Sequence, residues 1–465
     1  MTAIVWFRRD LRLHDNPTLT RALAEHELVV PVFCLDERLI TGRHRSAPRA
    51  AFMRGCLVEL DRNLRAAGSR LVFVDRPPER AIPDLARQLA AEAVYAAADV
   101  SPFARRRDRA VAHALAAGGS SLTLGPGTFV ADDLAAVTSG SGTPYTVFTP
   151  FYRRWLTLPR RAVHPAPRSL PAPPPTPASG PLPELGDLPP QAPFAPGEHA
   201  ARERMLAFAA GEGLDGYHEH HDDLGQPHAS GLSAYLHFGC VSARELESLL
   251  PDSDDAEAAR RQLCWRDFYA HVLLHHPGNA RAEQQPQLRG RIEWNRSMPL
   301  FDTWREGRTG YPLVDAAMRE LLHTGHMHNR ARLVVGSFLV KDMGIDWRWG
   351  ERWFMRTLLD GDEANNNGNW QWIASVGVDP QPPSRRMFNP TLQQLKFDPE
   401  GHYVRRHVPE LRSVPDAYLA EPWTMPADVQ RHAGCIIGAD YPVPVLDHAQ
   451  ARREAIARYE RARSG

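Results

Sequence analysis

Between Asp360 and Trp372 the chain reads Asp360-Gly-Asp-Glu-Ala-Asn-Asn-Asn-Gly-Asn-Trp-Gln-Trp372. Carboxylates and amides can hydrogen-bond the edge of a planar heterocycle, and indoles can wall its faces. A merely polar loop would not need two tryptophans. Upstream, Gly325-His-Met-His-Asn-Arg-Ala-Arg332 offers an amide and two guanidinium groups. Arg330 and Arg332 point in different directions on a helix and suit the phosphates of a cofactor or of DNA. His218-Glu-His-His-Asp-Asp223 invites a metal reading. It lacks the His-Glu-x-x-His spacing, so a solvated loop and no metal is the expectation.

These residues need elements to hold them. Residues 1–133 alternate short apolar runs (Ile4 to Phe7, Val29 to Leu35, Leu71 to Val74, Val94 to Ala98, Leu122 to Leu124) with amphipathic stretches such as Ala50 to Ala67 and Arg105 to Ala117. That pattern predicts an α/β domain, a parallel Rossmann-like sheet covered by helices. Phe7-Arg8-Arg9-Asp10 stands where a nicotinamide-binding fold would carry its Gly-x-Gly-x-x-Gly turn. Residues 134–199 include Pro171-Ala-Pro-Pro-Pro-Thr-Pro177 and read as a proline-rich interdomain linker, because proline cannot donate to regular structure. Residues 200–465 predict an all-α domain, with helical periodicity in Ala256 to His275, Tyr311 to His323 and Arg330 to Asp342. This half holds nine of the eleven tryptophans, dense enough to require a reason.

At 465 residues the chain is long enough for two domains. With 43% apolar and 24% charged residues it has the balance of a globular protein, and no apolar run approaches a membrane span. The N-terminus carries charge where an export signal needs apolar residues, so a cytoplasmic location is expected. Five scattered cysteines without a Cys-x-x-Cys pair argue against disulfides, zinc or iron–sulfur clusters. Net charge is zero, so any nucleic-acid binding must come from a local patch. The cations are nearly all arginine, which suits phosphate.

Several ordered blocks carry a resemblance: Trp6-Phe-Arg-Arg-Asp-Leu-Arg-Leu-His-Asp-Asn-Pro17, Gly310-Tyr-Pro-Leu-Val-Asp-Ala-Ala-Met318, Met327-His-Asn-Arg330, Asp360-Gly-Asp362, Asn369-Trp-Gln-Trp372 and Phe388-Asn-Pro390. Together they resemble the photolyase and cryptochrome family over essentially the whole chain, most like class I cyclobutane pyrimidine dimer photolyases of the deazaflavin-antenna type. The resemblance implies a flavoprotein lyase that binds FAD in the helical domain and repairs UV-damaged DNA under blue light. Matched positions imply FAD contacts from Tyr217, Ser230, Gly231, Leu232, Ser233, Arg266, Asn329, Arg332, Asp360, Asp362 and Asn366, with Asn366 by the flavin N5 and Arg332 facing Asp360. Trp370, Trp347 and Trp294 fall at the positions of the family's electron-hopping chain. Trp265 and Trp372 match the walls that receive a flipped dimer, Leu333 lies beside them, and Arg330 and Arg386 match DNA-phosphate contacts.

The departures matter as much. Gln262 stands where dimer photolyases usually carry a glutamate; an amide can donate to a carbonyl but has no ionisable proton to share. Leu333 replaces a methionine, His326 a tryptophan, and Ala229 a threonine. Neither Asn329 nor Leu333 is the histidine of enzymes that repair 6-4 photoproducts, which disfavours that lesion. Ala98-Asp-Val-Ser-Pro-Phe-Ala-Arg105 resembles members whose antenna is 8-hydroxy-5-deazaflavin rather than folate, with Arg9, Asp36 and Asp99 near it. A cryptochrome-like photoreceptor is the rival reading; the short stretch after Tyr441-Pro-Val-Pro444 weighs against it. The expectation is a monomer without an obligate protein partner.

Overall fold

Five apolar strands form one parallel sheet in the order β3-β2-β1-β4-β5, with β1 (Thr2–Phe7) at its centre. The others are β2 (Leu28–Cys34), β3 (Val72–Val74), β4 (Ala91–Ala97) and β5 (Ser121–Gly125). Ile4 lies opposite Val30 on one side and Val94 on the other. Both faces are covered, which explains strands that are apolar throughout instead of alternating. Ile4, Trp6 and Val94 pack under helices Pro78–Gln88 and Pro102–Ala117, whereas Val5 and Phe7 pack under Pro17–Glu25 and Ala47–Ala66. Strand order reverses between β1 and β4, so a crevice opens where their carboxyl ends deliver Arg8-Arg9 and Asp99.

The computed structural model describes residues 1–43, 45–174, 180–225, 228–378 and 381–464. The α/β and helical halves follow the expected pattern, and helix ends extend a few residues beyond the periodicity because caps set them. Ser46 accepts from the Arg49 N–H to start Ala47–Ala66, and Ser101 does the same for Ala104 at the head of Pro102–Ala117. Gly325, at φ +69°, ends helix Pro312–Thr324 in the left-handed region. Arg330 to Asp342, expected as one helix, is helix Asn329–Ser337 followed by a wider π-type turn, Phe338–Asp342, which turns buried Lys341 toward the Ser375 hydroxyl at 3.1 Å.

The stretch 134–199 differs from a bare tether. It contains helix Phe148–Leu156, whose Phe151 and Trp155 are fully buried. The rest is irregular where described; Pro175, Thr176 and Pro177 of the proline run lie outside the described residues. Trp155 donates its indole N–H to Asp267 (2.9 Å), on the long helix Asp254–His275, and Asp267 also accepts from the backbone of Val130 and Ala131. Asp15, at the sheet's carboxyl edge, takes a forked Arg161 (2.5 and 2.8 Å) and the Ser242 hydroxyl. One hydrophobic core therefore runs from Ala3 in the sheet to Ala364 in the helical half, while a second gathers around Trp304, Trp347 and Trp370. Among the described residues no helix is long and apolar enough to cross a membrane.

Candidate functional site

The helix Glu363–Ile373 sets the site's geometry. Its N-cap, Asp362, accepts from the Asn365 backbone (2.9 Å) and side-chain amide (2.8 Å), a carboxylate complementing the helix's positive end. Asp362 also receives Arg9 (2.6 Å), which reaches across from the end of β1 and donates to the His237 carbonyl as well (2.9 Å). Burial opposes ionisation of Asp362, but Arg9 overrides it and holds the carboxyl well below the usual range. His237, buried beside Arg9 and Arg49, is pushed far down and stays neutral. Two residues earlier, Asp360 pairs with Arg332 (2.8 Å) as the matched motif implied. Here too burial pushes up and Arg332 wins, leaving Asp360 at about 2.

These groups wall a cavity of about 460 Å³. At one end lie Tyr217 and the turn Ser230-Gly-Leu-Ser233, with Gly231 at φ +66°. Arg204 holds that turn by donating to the carbonyls of Ser230 (2.7 Å) and Ala229 (2.8 Å). The same cavity is walled by Arg266, Asn329, Arg332, Asp360 and Asp362, and by Trp265, Leu333, Trp372 and Gln262, whose exposure marks the mouth. A smaller adjoining cavity of about 80 Å³ shares Asn329, Arg332, Leu333, Asp360 and Asp362 and adds Asn366 and Trp370. Asn366 donates to the Glu351 carbonyl (2.9 Å), so its amide orientation is fixed from behind. The structure thus brings all the sequence-inferred flavin contacts to one pair of joined cavities.

The chemistry of the walls fits FAD. Arg266 donates to Thr128 O (2.6 Å), Thr128 Oγ1 (3.0 Å) and Leu236 O (3.0 Å), all neutral acceptors, and packs over Phe129. Burial lowers it only to about 10, so it remains a cation within the wall, with nearby carboxylates acting at longer range. A cation held by neutral oxygens beside a glycine-bearing turn suits a diphosphate, and the Asn366 and Asp360 edge suits a flavin ring.

At the mouth, Trp265 is half-buried, and one of its faces is covered by Phe148 at 3.6 Å between ring centres and 3° between planes. It is a rigid wall with a single face left to offer. Arg386 corrects the sequence reading: it is 2% exposed, lies over the Trp372 ring at 4.1 Å and donates to the Trp372 carbonyl (2.8 Å). Placed there, its guanidinium braces Trp372 and is not presented to a phosphate. Arg330 is partly spent too, paired with Asp222 and packed over Phe397 at 4.4 Å.

Trp370 and Trp347 are buried and Trp294 is half-buried. Trp370 lies against Gly350, on the same helix (Trp347–Thr357) as Trp347. The Asn295 N–H donates to Gly344 O (2.8 Å), placing the Trp294 segment beside the approach to that helix. The three antenna residues follow three different strands, β1, β2 and β4, and Arg9 and Asp99 lie close enough to influence each other's charge. Arg9 lines the large cavity; Asp36 caps helix Glu37–Thr41 and clamps Arg38 (2.7 and 2.5 Å); Asp99 accepts from the Ser101 N–H (2.8 Å). Among the described residues no three His, Cys, Asp or Glu side chains form a metal-sized cluster. Arg204, Phe148, Glu351 and the flavin-side role of Arg9 escaped the sequence reading, since none sits in a local motif with its partner.

Residues 3–176 match the family described as DNA photolyase and residues 259–461 the FAD binding domain of DNA photolyase. A deoxyribodipyrimidine photo-lyase of Streptomyces griseus is 40% identical, with 99% of each chain covered. A solved bacterial class III photolyase from Agrobacterium tumefaciens superposes with TM-score 0.93 at 35% identity, covering 100% of this chain and 98% of its own. A Synechocystis cryptochrome gives 0.89 at 31%, covering 99% and 98%.

Proposed function

The chain belongs to the DNA photolyase family, and we propose from that premise that its two joined cavities bind FAD and a flipped-out cyclobutane pyrimidine dimer, which is split under blue light. The observation that carries this reading is that one cavity is walled both by Arg266 and Arg332 and by Gln262, Trp265 and Trp372. When bound in its reduced form, FAD would supply a light-driven electron to the lesion and take it back once the ring has opened, so that the splitting involves no net oxidation or reduction. Arg266 and the Ser230–Ser233 turn hold the diphosphate, and Arg332–Asp360 and Asn366 orient the ring. Trp265 and Trp372 receive the unstacked bases, whose exit from the duplex costs a few kcal/mol, less for a lesion that already weakens pairing. Gln262 donates to a pyrimidine carbonyl as it gains charge. Trp370, Trp347 and Trp294 conduct electrons from an outside donor to the buried site.

The finer reading extends to an 8-hydroxy-5-deazaflavin antenna at the crevice between β1 and β4, supported by the switch-point topology and by Asp99, which follows β4 within reach of the Arg9 charge; Arg9 also lines the flavin cavity, and Asp36 lies one strand further over, after β2. It extends also to a monomer working in the cytoplasm, in keeping with five buried, free thiols.

The test is blue-light repair, by purified flavin-loaded protein, of oligonucleotides carrying one cyclobutane dimer or one 6-4 photoproduct. Restoration of the dimer alone is expected, and Trp370→Phe should abolish photoreduction of oxidised FAD while chemically reduced variant still repairs. Repair of only the 6-4 lesion would refute the substrate, and repair of neither would favour the cryptochrome-like photoreceptor.

A further inference from the structure

A second groove, of about 790 Å³, lies between Met387–Gln393 and the C-terminal helix His448–Ser464. Arg452 and Arg453 stand exposed on its helical side. Most arginines of this chain are tied to a carboxylate or a carbonyl, but these two have no hydrogen-bond or ion-pair partner among the described residues. The opposite wall is apolar, with Phe388 and Leu392, the latter 60% exposed. His448 is tied to Asp342, so it shapes the groove.

The groove begins one residue along the chain from the arginine that braces the lesion wall. Arg386 braces Trp372, and the next residue, Met387, already lines the groove; Ser337 fixes this segment by contacting both Arg386 O (3.2 Å) and the Phe388 N–H (3.1 Å). Residues 386–389 span at most ~10 Å when extended. That is about three nucleotide rises at 3.4 Å per strand.

We propose that this groove binds the DNA backbone flanking the lesion, with Arg452 and Arg453 on phosphates and Phe388 and Leu392 against sugar and base edges. The proposal rests on the repair reading of the main cavity, and it supplies the phosphate contacts that buried Arg386 does not make. Two unpaired cations facing an apolar wall, a few nucleotides from the lesion, match a polyanion with apolar sugars.

The experiment compares the full flavin-loaded chain with Arg452→Ala/Arg453→Ala and with Arg452→Glu, on dimer-containing duplexes with flanks of about two or about ten base pairs. These end roughly 7 and 34 Å from the lesion. Affinity is read by anisotropy across a salt series, with repair of each duplex under light alongside. On the long duplex the double variant should lose about 2 from the salt slope, near 0.9 per phosphate contact, and Arg452→Glu should weaken binding further. On the short duplex the variants and the wild type should coincide. An unchanged slope on the long duplex, or equal losses on both, would overturn the groove's role. So would a change confined to self-association measured by light scattering. Wild type that neither binds nor repairs the dimer would instead bring down the reading of the main cavity, and with it the occupant named here.

Discussion

Gln262 is exposed on the wall of the large cavity, where its amide can both donate and accept. Truncation to alanine would leave the lesion's polar groups facing a wall without a partner, at about 1 to 3 kcal/mol. Gln262→Ala should therefore lower dimer affinity or repair yield under saturating light, while Gln262→Glu, of equal length, should retain or improve both; quantum yields on a defined thymine dimer check this. Equal yields for wild type and alanine variant would mean Gln262 does not touch the lesion. Arg386 carries the contrasting lesson. Its residue type was legible as a phosphate ligand, but only the fold reveals that the guanidinium is enclosed over Trp372. A cation beside an indole is read from sequence as an outward charge because the sequence does not say which side faces water.

Among the elements, helices Trp347–Thr357 and Glu363–Ile373 approach closely enough to require a glycine. A Cβ added at Gly350 would lie 2.1 Å from the Trp370 ring and 2.7 Å from Leu339. Gly350→Ala must displace a fused ring in a packed core, costing about 1 to 3 kcal/mol. Expected are a lower melting temperature and slowed flavin photoreduction by transient absorption; an unchanged photoreduction rate would show that the Trp370 position is not set by this contact. The long helix Asp254–His275 holds a different device. Its buried His271 accepts from the Tyr145 N–H at Nε2 (3.1 Å), while Nδ1 lies 3.0 Å from Leu134 O, which requires the neutral ring. Burial lowers it to about 4. Because the unfolded histidine takes a proton near 6.5, its stabilising contribution is full above that pH and is lost as pH falls from about 6.5 toward 4. The drop in melting temperature from pH 7 to pH 5 should shrink in His271→Gln, and an identical drop would remove His271 from the acid response. The sheet and the long helix were legible because periodicity is local, and the Asp360–Trp372 segment because of its side-chain types, although not as the capped helix Glu363–Ile373 that it forms. Helix Phe148–Leu156 was hidden by its proline-rich surroundings, and its Phe148–Trp265 stack joins residues over a hundred positions apart, beyond any local pattern.

For the whole molecule, the shared core and the Asp15 and Asp267 networks couple sheet and helices. Melting followed by tryptophan fluorescence, far-UV dichroism and flavin release should give coincident transitions; a flavin-retaining intermediate with a melted sheet would contradict that coupling. The bond between Arg9 and Asp362 joins residues 353 positions apart. On a ribosome making roughly 5 to 20 residues per second, Arg9 emerges roughly 20 to 70 s before its carboxylate. The nascent sheet must wait that long with its guanidinium in water, and the flavin wall stays incomplete until Asp362 has emerged. Capture of the chromophore is thereby scheduled as a late event in the life of each newly made chain, so that cells short of flavin would accumulate finished apoprotein instead of stalled fragments.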